Sequence, residues 1–190
     1  MRIRTATLPD IPALERLIAA SARQLSVGHY DGAQIDAAVA HVFGVDSELV
    51  GDGTYLVVEA GGHLAGCGGW SRRATLFGSD RFAGRAAGFV DPEVAPAKIR
   101  AFFVAPDFAR RGVGTLLLEA CEAAAVAAGF KSAELMATLP GVPFYTACGY
   151  LPSPAVTLDY NGTSIGFVPM HKALQPVGTD PPTRREQVQT

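Results

Sequence analysis

The stretch from Ile99 to Thr115, IRAFFVAPDFARRGVGT, constrains the fold more than any other part of the chain. An apolar run typical of a buried strand ends in a turn, and two arginines then precede Gly112 and Gly114 at the start of a helix. The start of a helix carries unpaired backbone N–H groups and about half a positive elementary charge. The stretch therefore predicts a strand, a tight turn and a helix whose first turn binds a phosphate group.

Composition limits the classes of function. The chain has 190 residues, of which 48% are hydrophobic and 18% charged, and its formal net charge is −2. This composition favours one domain of ordinary size and shows no basic excess of the kind that binds nucleic acid. No apolar stretch is long enough to span a membrane, and the first ten residues hold no signal-peptide core. We therefore expect a cytoplasmic protein without nucleic-acid or membrane partners.

The three cysteines, Cys67, Cys121 and Cys148, are odd in number and widely spaced. They match neither a disulfide framework nor a metal-binding pattern. Each stands among apolar or small residues, so we expect buried, reduced thiols and no bound metal.

Hydrophobic periodicity and turn residues predict a mixed α/β (α+β) domain over residues 1–174, in the order β α α β β β α β α β β. Tight hairpins are predicted at Gly61-Gly62 and Asn161-Gly162. The helix after the arginine pair is predicted to span residues 112–129 with Ala128 buried, and residues 151–160 are predicted to form one strand. The last segment, residues 175–190, is polar and rich in proline, which predicts a flexible tail.

Residues 72–98 are predicted to form a long irregular insertion. Long loops inside a compact domain are often functional, so this one is either a lid on the substrate side or an inert insertion. Its arginines would attract an anionic acceptor; they are Arg72, Arg73, Arg81 and Arg85.

Three phosphate-binding patterns compete for residues 109–115. A Walker-type loop needs a Gly-Lys-Ser/Thr sequence, which is missing here. A dinucleotide-binding fingerprint needs a third glycine where Leu117 stands, and only Glu134 offers an acidic partner in the next strand. The third pattern, [QR]-x-x-G-x-[GA] after a strand, matches from residue 109, although Ala109 departs from its first position.

This third pattern resembles motif A of the GNAT superfamily of N-acetyltransferases. A second match is independent of the first: residues 144–150, FYTACGY, resemble the F-Y-x-x-x-G-[FY] motif of the same family, 30 residues after Gly114. The resemblance covers residues 1–174 apart from the insertion. It implies a GNAT-like acyl-CoA N-acyltransferase fold, with a mostly antiparallel sheet of about six to seven strands and about four helices.

The resemblance also implies an acetyltransferase that uses acetyl-CoA. The pyrophosphate would lie on the N–H groups of the glycine turn, and the pantetheine arm would pair with the preceding strand. A backbone N–H of that strand would polarise the thioester carbonyl. The cofactor-binding residues implied in this way are Phe102, Phe103, Val104, Arg110, Arg111, Gly112, Val113, Gly114, Thr115 and Thr138.

Tyr145 is the catalytic residue that the resemblance implies, as the acid that protonates the leaving CoA thiolate. Cys148 has no histidine partner in the sequence pattern, so we expect direct transfer without an acyl-enzyme. The general base stays open between a water chain and four side chains, those of His29, Tyr30, Glu59 and Glu134.

The acceptor is expected to be a primary amine of unknown identity. Three alternatives stay open: another acyl-CoA as donor, a non-catalytic acyl-CoA-binding or regulatory module, and a nucleotide-binding oxidoreductase that would bind NAD(P). The strand edges of the closing hairpin would also allow a homodimer.

Overall fold

The computed structural model describes residues 1–175, so the predicted tail from 176 onward lies outside the described residues. Within them, the predicted strands and helices occur in the predicted order, with one additional short helix and one predicted strand divided in two. The strands are β1 (Arg2–Thr5), β2 (Tyr55–Ala60), β3 (His63–Ser71), β4 (Ala97–Val104), β5 (Ser132–Thr138), β6 (Leu151–Pro152), β7 (Val156–Tyr160) and β8 (Thr163–Ala173). The α-helices are α1 (Ile11–Leu25), α2 (Gly32–His41), α3 (Ser47–Gly51), α4 (Val113–Ala127) and α5 (Val142–Ala147).

The eight described strands form one sheet, in the order β1-β2-β3-β4-β5-β8-β6, with β7 also paired to β8. Every pairing is antiparallel except that of β4 with β5. The predicted mixed, mostly antiparallel sheet is confirmed, but with eight strands. The strand predicted over residues 151–160 divides into β6 and β7, because Pro152 and Pro154 have no N–H to donate to a neighbouring strand.

The helices cover both faces of the sheet. The adjacent β2 residues Val57 and Val58 belong to different core clusters, and successive side chains of a strand point to opposite faces. Helices α1 and α2 pack in the cluster of Val57, whereas α4 packs against Val58 and supplies the fully buried Leu117. The site described below lies where these two layers meet at the end of β4.

Two hairpins have the predicted tight turns. Gly61 and Gly62 connect β2 to β3 with φ angles of 58° and 80°. Asn161 and Gly162 connect β7 to β8 with φ angles of 53° and 83°. Positive φ at both central residues is the conformation that favours asparagine and glycine in two-residue hairpins.

Three elements differ from prediction in their bounds or in their presence. Helix α4 is shorter than residues 112–129, because Gly112 and Gly129 have left-handed φ angles of 81° and 93°, and Ala128 is exposed beyond its end. Helix α3 is absent from the prediction, since five residues are too few to show a helical repeat. Strand β4 begins at Ala97, two residues inside the predicted insertion, because it pairs there with β5.

Candidate active site

Strands β4 and β5 separate partway along their length. They pair in parallel only from Ala97 to Ile99, whereas β4 remains paired with β3 as far as Val104. Ala101 has a positive φ of 54°, and the β3 register shifts opposite it, which is a β-bulge. The Tyr55 hydroxyl donates to the Ala101 carbonyl at 3.1 Å. Beyond Ile99, the edge of β4 that faces β5 therefore has no strand partner. It borders the gap between the two separating strands, which we call the wedge.

Glycines in β3 make the bulge possible. A Cβ added at Gly68 would lie 2.4 Å from the Phe102 ring, and one added at Gly66 would lie 2.6 Å from Val113 Cγ1. Both distances are far below a normal contact, so Phe102 and the start of α4 rest directly on the β3 backbone. The run GCGG at residues 66–69 is the sequence signal for this bulge, because glycines inside a strand indicate close approach of another backbone or side chain.

The first turn of α4 presents free backbone N–H groups. Arg110 and Gly112 have left-handed φ angles of 61° and 81°, and Gly112 is the N-cap residue with no side chain capping it. Within residues 1–175, the first amide of this turn that donates to a backbone carbonyl is that of Leu116, to Gly112 at 3.0 Å. The amides before Leu116 are therefore available to an anion, as the sequence predicts.

One cavity of about 850 Å³ connects the wedge with this turn. Ten of the eleven site residues predicted from sequence line it: Phe102, Phe103, Val104, Arg110, Gly112, Val113, Gly114, Thr115, Thr138 and Tyr145. Arg111 is not among the lining residues; its guanidinium lies 5.7 Å from the centre of the Phe108 ring.

Aromatic packing holds Tyr145 in place. Its ring centre lies 6.5 Å from that of Phe102, 5.0 Å from Phe144 and 5.8 Å from Tyr150. Burial raises the pKa of the Tyr145 phenol above its ordinary value of 10.0, and the residue is 9% exposed. Because the phenol is protonated across the neutral range, it is able to donate a proton into the cavity.

Thr138 and Tyr145 border the same point of the cavity. A Cβ added at Gly141, between them in sequence, would lie 3.2 Å from Thr138 Oγ1 and 3.4 Å from Tyr145 Cε2. A Cβ added at Gly114 would lie 3.2 Å from Phe144, so the start of α4 also packs on α5. The two sequence motifs therefore meet in space.

Most of the candidate bases lie away from the cavity. Glu59 accepts from Arg4 Nε at 2.8 Å, and Glu134 forms an ion pair with Lys98. The Tyr30 hydroxyl donates to the Gly166 carbonyl at 2.6 Å and accepts from Leu139 N–H at 2.9 Å, which makes it a structural anchor. His29 is exposed and is the one candidate that lines the cavity.

The cysteine thiols are not activated as nucleophiles. Cys67 and Cys121 are buried and free, as expected, whereas Cys148 is partly exposed because it follows the last turn of α5. Burial raises the pKa of the Cys148 thiol and raises that of Cys67 to about 12. Each group therefore stays a thiol rather than a nucleophilic thiolate near neutral pH.

The insertion is held against the domain by ion pairs, so three of its four arginines are engaged by carboxylates and do not lie free to attract an anionic acceptor. Arg72 lies over the Phe89 ring, 5.3 Å from its centre. The other three pair with carboxylates: Arg73–Asp52 (2.6 Å), Arg81–Glu15 (2.5 Å) and Arg85–Asp46 (3.0 Å). The insertion also supplies Phe77, Gly78 and Ser79 to the cavity wall.

The cavity has an aromatic region that the sequence analysis missed. Side chains from α2–α3, the insertion and two strands form it, and segments so far apart in sequence carry no shared motif. Its members are Phe43, Phe77, Phe103 and Phe167.

Among residues 1–175 there is no group of three or more His, Cys, Asp and Glu placed to hold a metal ion. None of the helices in this part of the chain combines the length and the apolar character needed to cross a membrane.

A comparison with protein-family models matches residues 36–150 to the Acetyltransferase (GNAT) family. The match spans more than half of the 190 residues, so the chain belongs to the acetyltransferase (GNAT) family. The resemblance noted in the sequence is thereby confirmed. The comparison with curated proteins finds no match.

Solved structures share this fold at low sequence identity. A GCN5-related N-acetyltransferase from Rhodopseudomonas palustris is 22% identical, with a TM-score of 0.68 over 91% of this chain and 95% of that one. PaiA N-acetyltransferase from Thermoplasma acidophilum, in complex with coenzyme A, is 15% identical, with a TM-score of 0.59 over 90% and 98%. A ribosomal-protein-alanine N-acetyltransferase from Brucella melitensis is 17% identical, with a TM-score of 0.60 over 92% and 100%. These likenesses establish the fold alone.

Proposed function

We propose that this protein transfers the acetyl group of acetyl-CoA directly to a primary amine. One observation carries the proposal: the free amides at the start of α4, the unpaired edge of β4 and the Tyr145 ring all border one cavity. Membership of the GNAT family and the coenzyme A complex of the Thermoplasma acidophilum neighbour favour acetyl-CoA as the donor.

The residues present fit this donor. The backbone N–H groups from Gly112 to Thr115 donate hydrogen bonds to the pyrophosphate oxygens. The absence of a side chain at Gly112 allows the pyrophosphate to approach the backbone closely. Arg110, exposed at the edge of the turn, adds positive charge for the phosphates. The free edge of β4 from Phe102 to Val104 pairs with the amide groups of the pantetheine arm, and the Thr138 hydroxyl adds a hydrogen bond.

Groups of the protein then stabilise the charges that develop during the transfer. A backbone N–H of β4 stabilises the negative charge that develops on the thioester carbonyl oxygen. Tyr145 donates its phenolic proton to the sulfur as the C–S bond breaks, so CoA leaves as a thiol, and a proton from solvent then restores the phenol. Glu59 and Glu134 are bound elsewhere, so the proton that the amine loses passes to solvent water, directly or through His29, which lines the cavity. Direct attack by the amine agrees with the raised pKa of the Cys148 thiol, which leaves no activated nucleophile for an acyl-enzyme.

A thermal-shift titration tests the donor. Acetyl-CoA, propionyl-CoA, succinyl-CoA, CoA and NADPH are each added to the full chain, since a ligand that binds only the folded state raises the melting temperature. We expect shifts with CoA and its acyl esters and none with NADPH. A shift with NADPH alone would overturn the proposal.

Product formation separates an enzyme from a binding module. The purified protein is incubated with acetyl-CoA and a panel of primary amines, and free CoA thiol and acetylated amine are measured together. Equal release of both supports direct transfer. Binding of acetyl-CoA with no acetylated product from any amine would favour a non-catalytic acyl-CoA-binding module.

A further inference from the structure

We propose that the acceptor is a primary amine carrying an aromatic ring, and that the ring binds in the aromatic region of the cavity. This inference rests on the proposed acetyl transfer and names the class of its acceptor. This part of the cavity wall is lined by aromatic side chains that pack on one another. Ring centres lie 5.4 Å apart for Phe43–Phe103, 6.4 Å for Phe43–Phe167 and 5.9 Å for Phe77–Phe167.

The position of the region relative to Tyr145 favours an acceptor over a part of CoA. Phe102 and Phe103 are successive residues of β4, and successive side chains point to opposite sides. Phe102 packs against Tyr145, whereas Phe103 packs against Phe43 below α1 and α2. One cavity nevertheless reaches both sides. The donor thus approaches from the α4 side, and a second molecule meets it from the aromatic side.

The charge of the lining selects against polycationic acceptors. Among the described residues that line the cavity there is no aspartate or glutamate; its charged side chains are those of Arg100 and Arg110. Arg100 is fully buried in an ion pair with Asp46. An acceptor with several ammonium groups would find no opposite charge here, whereas an apolar ring gains free energy from leaving water.

The insertion fixes one wall of this region in advance. Ser79 N–H donates to the Val42 carbonyl at 2.9 Å, and Arg81 donates to the Phe43 carbonyl at 3.1 Å. These bonds tie the segment that carries Phe77 to the end of α2. The aromatic region therefore exists before any ligand binds, as is usual for small-molecule sites.

The test compares acceptors at fixed acetyl-CoA. Initial rates of CoA release are measured with 2-phenylethylamine, ethylamine, spermidine and a lysine-containing peptide. We expect kcat/KM for 2-phenylethylamine to exceed each of the others at least tenfold, because burial of the ring adds binding free energy. Binding is also measured without turnover, by thermal shift of the CoA-saturated protein with each amine.

Matched variants then locate the ring. Phe77→Leu is expected to lower kcat/KM for 2-phenylethylamine about tenfold while KM for acetyl-CoA stays unchanged. Phe89→Ala is the control, since Phe89 lies in the same insertion, is 61% exposed and does not line the cavity. If the Phe77 variant does not fold, the thermal shift of the unmodified protein decides.

The outcomes separate this inference from the proposed function. If acetyl-CoA itself gives no thermal shift, the proposed function fails and the acceptor class falls with it. If acetyl-CoA binds but spermidine or the peptide is the best acceptor, only the aromatic acceptor is overturned. The same holds if aromatic amines neither react with nor stabilise the CoA-bound protein.

Discussion

Tyr145 and Phe102 pack against each other across the wedge of the sheet, with ring centres 6.5 Å apart and ring planes inclined by 60°. Phe102 in turn rests on the backbone of Gly68, where no side chain would fit. The position of the phenol is therefore determined by packing on a rigid strand, and no hydrogen bond within residues 1–175 holds its hydroxyl. Removal of that hydroxyl should leave the ring where it is.

Replacement of Tyr145 by phenylalanine is expected to lower kcat about 10- to 100-fold, with little change in KM for acetyl-CoA. The loss is modest for acid catalysis because a thiol of pKa about 8.5 is already a fair leaving group. Steady-state kinetics with a thiol-detecting reagent measure it. Tyr160→Phe is the control, because Tyr160 stacks on His41 and lies outside the cavity. An unchanged kcat in the Tyr145 variant would remove the acid role.

Gly112→Ala is expected to weaken CoA binding about tenfold, since the left-handed backbone that exposes the amides becomes strained. Gly162→Ala is a close control: its φ is 83° against 81° for Gly112, and neither site has a neighbouring atom within 4 Å. Each substitution should cost about 1 kcal/mol of stability from the same backbone strain. Calorimetric titration with CoA distinguishes them. Equal weakening in both variants would show that the effect is not local to the turn.

The local parts of this architecture are predictable from sequence. The dipeptides Gly61-Gly62 and Asn161-Gly162 specify their turns. The turn before α4 is predictable as well, because glycine adopts a left-handed backbone conformation without strain. The helical spacing of Ile11, Leu14, Leu17, Ile18 and Leu25 predicts one buried face for α1. Leu14, Leu17 and Ile18 are buried, whereas Ile11 is partly buried and Leu25 is exposed at the end of the helix. These features depend on a few neighbouring residues, which is why they are readable without a structure.

Long-range features of the site are not readable in this way. The bulge occurs at Ala101, an alanine in a conformation that its own side chain disfavours, and it is imposed by pairing with β3. The aromatic region joins Phe43, Phe77 and Phe167, which no local spacing relates. The arginines of the insertion show the same limit, because an ion pair depends on which carboxylate folding brings near.

Asp46→Asn is expected to destabilise the protein by about 3 kcal/mol and to loosen the insertion. The Asp46 side chain is fully buried and pairs with both Arg85 and Arg100. Its loss leaves the fully buried Arg100 guanidinium without its carboxylate partner, whereas Arg85 keeps its pair with Glu48. Urea unfolding measures the stability, and limited trypsin digestion reports cleavage at the insertion arginines. Asp36→Asn, which breaks the exposed pair with Arg23, should cost under about 1 kcal/mol. Equal stability of the two variants would contradict a structural role for the buried pair.

Asp52 should give the protein an acid-sensitive contribution to stability. Its hydrogen bonds with Arg73 lower the pKa of the carboxyl below its ordinary value of 3.8. A carboxyl whose pKa is lower in the folded state stabilises folding above its unfolded pKa, and this contribution disappears as pH falls through the folded pKa. Because both side chains are about a quarter exposed, we expect a contribution of about 0.5 to 1 kcal/mol at pH 7.

The substitution Asp52→Asn should therefore lower the melting temperature by about 2 °C at pH 7. The difference from the unmodified protein should shrink steadily as the pH is taken below about 4, since protonation removes the same charge that the substitution removes. Asp107→Asn, at an exposed position outside the ion pairs of residues 1–175, should leave the melting temperature unchanged at every pH. A difference between the Asp52 variant and the unmodified protein that is constant with pH would mean that Asp52 acts through hydrogen bonding or packing alone, and not through its charge.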